Sequence, residues 1–141
     1  MAECACGGGV KLVYSCSGAA DVGEISDRAA RQLRKEGFAQ GSCVAALGAD
    51  LSGFIQSAKG ADLNITIDGC PVACSKKIME KHGITPLSYV VTEMGFTKGS
   101  THATAEVIEA VCANIREGKT DKPKEKTFVV EGGGCGCGGN C

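Results

Sequence analysis

Apolar and polar positions along this chain change period in a repeating order. KLVYSC (11–16) is a short apolar run that reads as a strand. DVGEISDRAARQLRKEG (21–37) switches to helical spacing, with Val22, Ile25, Ala29 and Leu33 on one stripe. Asp21 and Glu24 have the spacing of a capping pair, and Gly37 suits the stop. SCVAALG (42–48) then reads as a second strand, DLSGFIQSAKG (50–60) as a short helix weakened by Gly53, and DLNITIDG (62–69) as a third strand with Leu63, Ile65 and Ile67 alternating. Pro71 suits the first position of a helix that runs to about His82, with Gly83 ending it. LSYVVTEMG (87–95) reads as strand four. THATAEVIEAVCANIREG (101–118) is the longest helix, with Val107 or Ile108, Val111, Cys112 and Ile115 on one face.

Four strand-then-helix units in succession predict an α/β domain: a small open parallel sheet with right-handed crossovers and helices on both faces. The expected order is the flavodoxin-like 2-1-3-4. This domain occupies residues 10–118. KTDKPKEKT (119–127) is a polar linker, FVVE (128–131) could add a short edge strand, and GGGCGCGGNC (132–141) is a Cys/Gly-rich tail that matches the Cys/Gly-rich start over residues 1–9.

Composition narrows the function. The 141 residues suffice for one core, aromatics are only 4% with no Trp, and the core must be built from Val, Ile, Leu, Ala and Cys. A formal net charge of −1 leaves no basic field to attract nucleic acid or an anionic membrane, so neither is an expected partner. No run reaches the ~18 apolar residues of a membrane span, and MAECACGGG lacks a signal peptide's basic and apolar regions. The expected compartment is the cytoplasm. There, ten cysteines point to metal ligation or thiol redox chemistry rather than to structural disulfides.

Topology sets where the thiols fall. In a parallel sheet all C-terminal strand ends share one edge with the helix N-termini. Cys16 ends strand one, Cys70 follows strand three and Cys74 sits one turn into the next helix, so all three meet at that edge. Cys43 joins them only if strand two is shorter or shifted. Helix N-termini carry unpaired N–H groups that stabilise thiolates, and ligand pairs two to four residues apart are usual for zinc. Lys76 and Lys77 could offset the charge of a thiolate site, Asp68 could orient a water or pair with them, and His102 is a further ligand or proton carrier at the same edge. Cys112 reads as a core residue, His82 as a partner for a helix C-terminus, and Arg31, Arg34 and Lys35 as a solvated face.

VYSCSGAADVGEISDRAARQL, a strand-two cysteine, and DLNITIDGCPVACSKKIME together resemble the DGC-domain family, named for an Asp-Gly-Cys motif that here is Asp68-Gly69-Cys70. The resemblance covers roughly residues 10–118. It implies a zinc site on four cysteines, which carry over onto Cys16, Cys43, Cys70 and Cys74, and it supplies no reaction. The termini lie outside it. Cys135-Gly136-Cys137 is similar to the glycine-flanked cysteines of A-type iron–sulfur carriers, and Cys4, Cys6, Cys135, Cys137 and Cys141 form a candidate second site. A parallel edge strand at 128–131 would bring the tail to the Cys16 edge; an antiparallel one would bring it to Cys4 and Cys6.

The expected function is therefore metal binding, zinc first, in a handling or sensing role; whether it has an enzymatic reaction is left open, and the balance leans against one. The alternatives are a thiol oxidoreductase or sulfur carrier, with Cys70 as nucleophile and Cys74 as resolving thiol, and an iron–sulfur protein.

Overall fold

The computed structural model describes residues 9–118, so Cys4, Cys6, the 128–131 strand, Cys135, Cys137 and Cys141 lie outside the described residues. Four strands, β1 (Lys11–Ser15), β2 (Gln40–Gly41), β3 (Leu63–Asp68) and β4 (Leu87–Val90), pair in parallel in the expected order β2-β1-β3-β4. Five helices connect them: α1 (Asp21–Lys35), α2 (Val44–Gly48), α3 (Ser52–Gly60), α4 (Cys74–Lys81) and α5 (Ala105–Arg116).

Alternation along the strands sorts the core into two layers. Val13, Ile65, Ile67 and Tyr89 face α1 and α5, where Ile25, Leu33, Val111 and Cys112 close the layer. Leu12 and Tyr14 face the other way, against Leu47 of α2, Ala58 of α3 and Met79 of α4. Leu33, Leu47 and Met79 are fully buried, each contributing about 1.5–3 kcal/mol of transfer free energy. Among the described residues no helix is long and apolar enough to cross a membrane.

Several boundaries differ from the sequence expectation. The expected strand 42–48 is instead the short helix α2, preceded by a two-residue strand at Gln40–Gly41. Val-Ala-Ala-Leu-Gly has no period-two alternation, and its alanines and leucine are good helix formers; so short an apolar run does not declare its own type. The expected fourth strand stops at Val90, and Val91–Met94 turns as a 3-10 helix ended by Gly95 at φ 94°. The last helix starts at Ala105, where the Thr104 side chain accepts from the Val107 N–H at 3.3 Å, not at Thr101.

Pro71 is not the first residue of α4. Residues 70–73 form a turn closed by the Ala73 N–H on the Cys70 carbonyl at 3.1 Å, Ala73 takes a left-handed φ of 51°, and the helix begins at Cys74. The start is fixed from outside the helix, by Asp68.

Candidate thiol site

The C-terminal edge of the sheet is built around the Asp68-Gly69-Cys70 motif. Asp68 is buried, and its two carboxylate oxygens accept the Ser75 N–H at 2.8 Å and the Lys76 N–H at 3.2 Å. It therefore satisfies two of the free N–H groups that open α4. Capping of the helix backbone is the role that these contacts give Asp68. Lys76 instead pairs across the helix surface with Glu80 at 3.8 Å.

Gly69 is required by proximity. A Cβ placed there would lie 2.7 Å from the Val22 carbonyl carbon and 2.8 Å from the Gly23 nitrogen, both in the first turn of α1. Only a bare backbone lets the end of β3 pass this close to α1. The approach lets the Gly69 N–H donate to Cys16 Sγ at 3.3 Å, while the Cys16 N–H extends the ladder to the Ile67 carbonyl at 3.1 Å.

Cys16 Sγ also stands 3.2 Å from the hydroxyl of Ser26, a fully buried α1 residue that the sequence pattern did not single out. The Ser26 hydroxyl donates its one proton to the Gly23 carbonyl at 2.7 Å, so toward Cys16 it is an acceptor and the thiol is the donor. A buried serine one turn inside an apolar stripe was the available signal, since a buried hydroxyl needs partners.

Cys74 is the first residue of α4, in the position where a helix dipole would lower a thiol's pKa. The direction here is the opposite. Burial, then the Asp68 carboxylate, then the charges of Cys16 and Cys70, push the Cys74 thiol up, against the opposing effect of Lys77. Asp68 already occupies the helix N-terminus, so its negative charge meets the thiol there. Cys16 and Cys70 are thus near enough to Cys74 for their charges to bear on it.

Cys70 is half-buried and packs against the α1/α5 core layer. Its sulfur has Lys98 Nζ at 4.0 Å, a contact that no sequence pattern indicated. Lys98 belongs to the connection between the 3-10 turn and α5, which is tied down by Asp21. The Asp21 carboxylate accepts from Gly99 N–H at 2.8 and 2.9 Å, from Thr101 N–H at 3.0 Å and from Val22 N–H at 2.8 Å. Partial burial raises the Asp21 pKa, but these donors outweigh it and, with His102 adding a favourable charge, hold the carboxyl below its usual value. The residue expected to pair with Glu24 in a cap is thus the anchor of a distant loop. His102 is exposed, beside Asp21 and before the helix rather than in it.

Cys43 is the N-cap residue of α2, just past β2, so the shortened strand does put it at the C-terminal edge. It is exposed and lines a hollow with Asp27, Arg31, Arg34 and Phe54; Arg31, Arg34 and Lys35 are exposed, as a solvated helix face would be. Arg31 pairs with Asp27 at 2.8 Å. Among the described residues no three Cys, His, Asp or Glu side chains are close enough to share one metal ion. Cys112 is a core residue as expected; it is fully buried, its thiol donates to the Ala29 carbonyl at 3.5 Å, and burial pushes it up to about 11. His82 bonds through Nε2 with the Leu47 carbonyl at 2.8 Å, at the end of α2.

The chain is similar to the anaerobic and virulence modulator AnvM of Pseudomonas aeruginosa, with 32% identity over 88 residues, 62% of this chain and 67% of AnvM. No solved structure matches it. The DGC domain family matches residues 12–115, a span that runs from β1 to the last turn of α5 and contains all the thiols of this edge, and the protein belongs to that family.

Proposed function

We propose that this protein binds a soft transition-metal ion, zinc first, through the thiolates of Cys16, Cys70 and Cys74, with Cys43 as the fourth ligand. The observation that carries the reading is the placement of Cys16, Cys70 and Cys74 at one edge of the sheet, just past β1, just past β3 and at the first residue of α4. The donor set fits the metal: thiolates select zinc or an iron–sulfur cluster over hard cations. The side-chain positions do not yet meet at one point, so binding requires the thiols to turn inward and Cys43 to swing across from the α2 end. A cation there would also displace the proton that the metal-free surroundings keep on Cys74. Lys98 and Lys77 would offset part of the negative charge.

The role is handling or sensing rather than catalysis, in a reducing compartment, the cytoplasm, where the five cysteines of the described domain remain free. The name of AnvM, an anaerobic modulator, fits such a role, since thiolate centres respond to oxidants. Metal analysis of protein purified under anaerobic conditions without added metal tests the proposal. At least about one equivalent of zinc, lost in Cys16→Ser and Cys74→Ser, is expected; less than about half an equivalent of any transition metal overturns it. Visible absorbance of the same sample would replace zinc with an iron–sulfur cluster.

One contact favours a second reading, thiol exchange at Cys70 with Cys74 resolving: Lys98 Nζ, 4.0 Å from Cys70 Sγ, would stabilise a thiolate. Alkylation of metal-depleted protein separates the two. Cys70 reacting no faster than a free thiol near neutral pH removes the exchange reading.

A further inference from the structure

The outer side of β2 carries a charge opposite to that of the chain. Two adjoining hollows of about 610 and 270 Å³ follow it and share Arg34 and Gly41. Lys11, Arg31 and Arg34 line them against one acid, Asp27, whose carboxylate already accepts from Arg31 at 2.8 Å and from the Ser17 hydroxyl at 2.9 Å. All three cations are exposed, and Arg34 has no hydrogen-bond or ion-pair partner among the described residues. The whole chain has a formal net charge of −1, so this positive excess is local. Apolar surface lies between the cations: Val10 and Phe54 are exposed, and Lys11 Nζ stands 5.3 Å from the centre of the Phe38 ring.

Backbone groups complete the surface. Among the described residues β2 pairs on one side only, with β1. Val13 stands opposite Gly41 and its carbonyl accepts the Ser42 N–H at 3.0 Å, so the Gly41 N–H and C=O turn to the outer side. Gly41 also seats the arginine. A Cβ there would stand 2.9 Å from Arg34 Cδ, so the Arg34 stem lies across bare backbone.

We propose that this edge docks an extended acidic segment of a partner protein, added as a strand along β2. Charge selects the occupant. A second copy paired edge to edge would set the same cations against each other, and like charges opposite one another destabilise a strand pair. A phosphodiester backbone would meet the cations and the Gly41 N–H but carries no donor for the Gly41 carbonyl. A peptide strand supplies donor, acceptor and carboxylates together.

Strand alternation then states which peptide fits. Every second side chain lies toward α1, where Arg31 and Arg34 are one turn apart, and the others lie toward α3, where Phe54 is exposed. The preferred sequence therefore alternates an acid with an apolar residue. At about 3.3 Å per residue, about six residues cover the edge from Val10 to Cys43. Exposed ion pairs are weak and screened, so binding falls with ionic strength.

The test adds an end-blocked peptide of about six residues, alternating glutamate and valine, to the full ¹⁵N-labelled chain. The Gly41 amide and the Arg34 side chain should shift in the NMR spectrum, and Gly41 amide exchange should slow about tenfold at a peptide concentration about ten times Kd. Raising salt from about 0.05 to about 0.2 M should weaken binding several-fold. Arg34→Gln should weaken it about two- to fivefold. Arg34→Glu should lose this peptide and bind one with lysine in place of glutamate, an exchange of preference that a structural role for Arg34 would not produce. Equal binding of both peptides by the parent protein overturns the proposal, as does no shift at about 1 mM peptide, or displacement of the peptide by a thymidylate oligomer. So does Gly41 exchange that is already slow without peptide: slow only at high protein concentration, it makes the occupant a second copy, and slow at every dilution, it means that the chain covers its own edge.

Discussion

Replacing Gly69 by Ala isolates the contact that sets the site. The added Cβ would stand 2.7 Å from the Val22 carbonyl carbon, 2.8 Å from its oxygen and 2.8 Å from the Gly23 nitrogen. Carbon atoms rest at about 3.5–4.0 Å, so the end of β3 and the first turn of α1 must separate by about 1 Å. The opposing atoms are backbone, held by the Gly23 and Glu24 N–H bonds to the Ala20 carbonyl at 2.9 and 3.0 Å, and cannot rotate away. Overpacking of this kind costs about 1–3 kcal/mol, and the upper half of that range is expected because two elements must move together. In a domain of this size each kcal/mol lowers the melting midpoint by about 4–8 °C, so a fall of roughly 8–24 °C should appear. Urea unfolding followed by far-UV circular dichroism measures the loss directly, as a lower midpoint at unchanged slope. Gly53→Ala is the control: nothing lies within 4 Å of its Cβ, and its helical position should gain about 0.5–1 kcal/mol. Gly69→Ala within about 0.5 kcal/mol of the parent, or a control that loses as much, would refute the close-approach argument.

Asp68→Ala should cost about 2–4 kcal/mol in urea unfolding, since it removes a helix cap and strands two N–H groups; Asp68→Asn, which keeps one acceptor, should lose about half as much, and equal losses would deny the two-oxygen capping. Asp21 has a folded pKa below its unfolded value, so its contribution is present above the unfolded pKa of about 3.9 and lost as pH falls through the folded one. Asp21→Asn should therefore flatten the acid limb of the stability profile between about pH 5 and 2 and leave residues 98–101 less protected from exchange, whereas an unchanged limb would contradict the anchoring role. Cys112, its thiol pushed up to about 11 by burial, should resist iodoacetamide at pH 8 in the native protein and react once unfolded; modification at the rate of exposed Cys43 would contradict its core placement. Chelation should leave the domain folded and cooperative, because both core layers are built of buried apolar side chains of the strands and helices; unfolding on chelation, as in a zinc finger, would show that ligation supplies the folding energy.

The sheet order and the edge that gathers the thiols were legible because they rest on long-range regularities. Strand-helix alternation and one-handed crossovers leave few arrangements, and Leu63, Ile65 and Ile67 or Val22, Ile25, Ala29 and Leu33 declare their periods over enough residues to be unambiguous. What failed was local. Five residues of Val, Ala, Leu and Gly at 44–48 carry no period, and the strand that precedes them, Gln40–Gly41, is polar and too short to register. Pro71 suggested a helix start that Asp68 overrides from three residues upstream, a capping relation across a turn that spacing rules do not contain. Lys98 and the loop-binding role of Asp21 were invisible for a different reason. Each acts through a partner at a separation that only the folded chain reveals, 78 residues for Asp21 and Gly99. The terminal cysteines and the 128–131 strand fall outside the described residues.

The three letters of the Asp-Gly-Cys motif have different physical tasks, and that explains why they occur together. The aspartate begins the helix that carries Cys74, and its charge opposes ionisation of that thiol. The glycine brings the β3 end against α1, so that its N–H reaches Cys16, whose own hydrogen-bond partner Ser26 sits in α1. The cysteine then emerges between core and surface, within reach of a lysine held by a loop that α1 anchors through Asp21. Each task ties the element that carries one thiol to the element that carries another. Side chains of thiols so placed can rotate while their Cα positions stay fixed. A ligand at this edge would meet Cys16, Cys70 and Cys74 on elements joined to one another by these contacts, and Cys43 on a separate one, the N-terminus of α2.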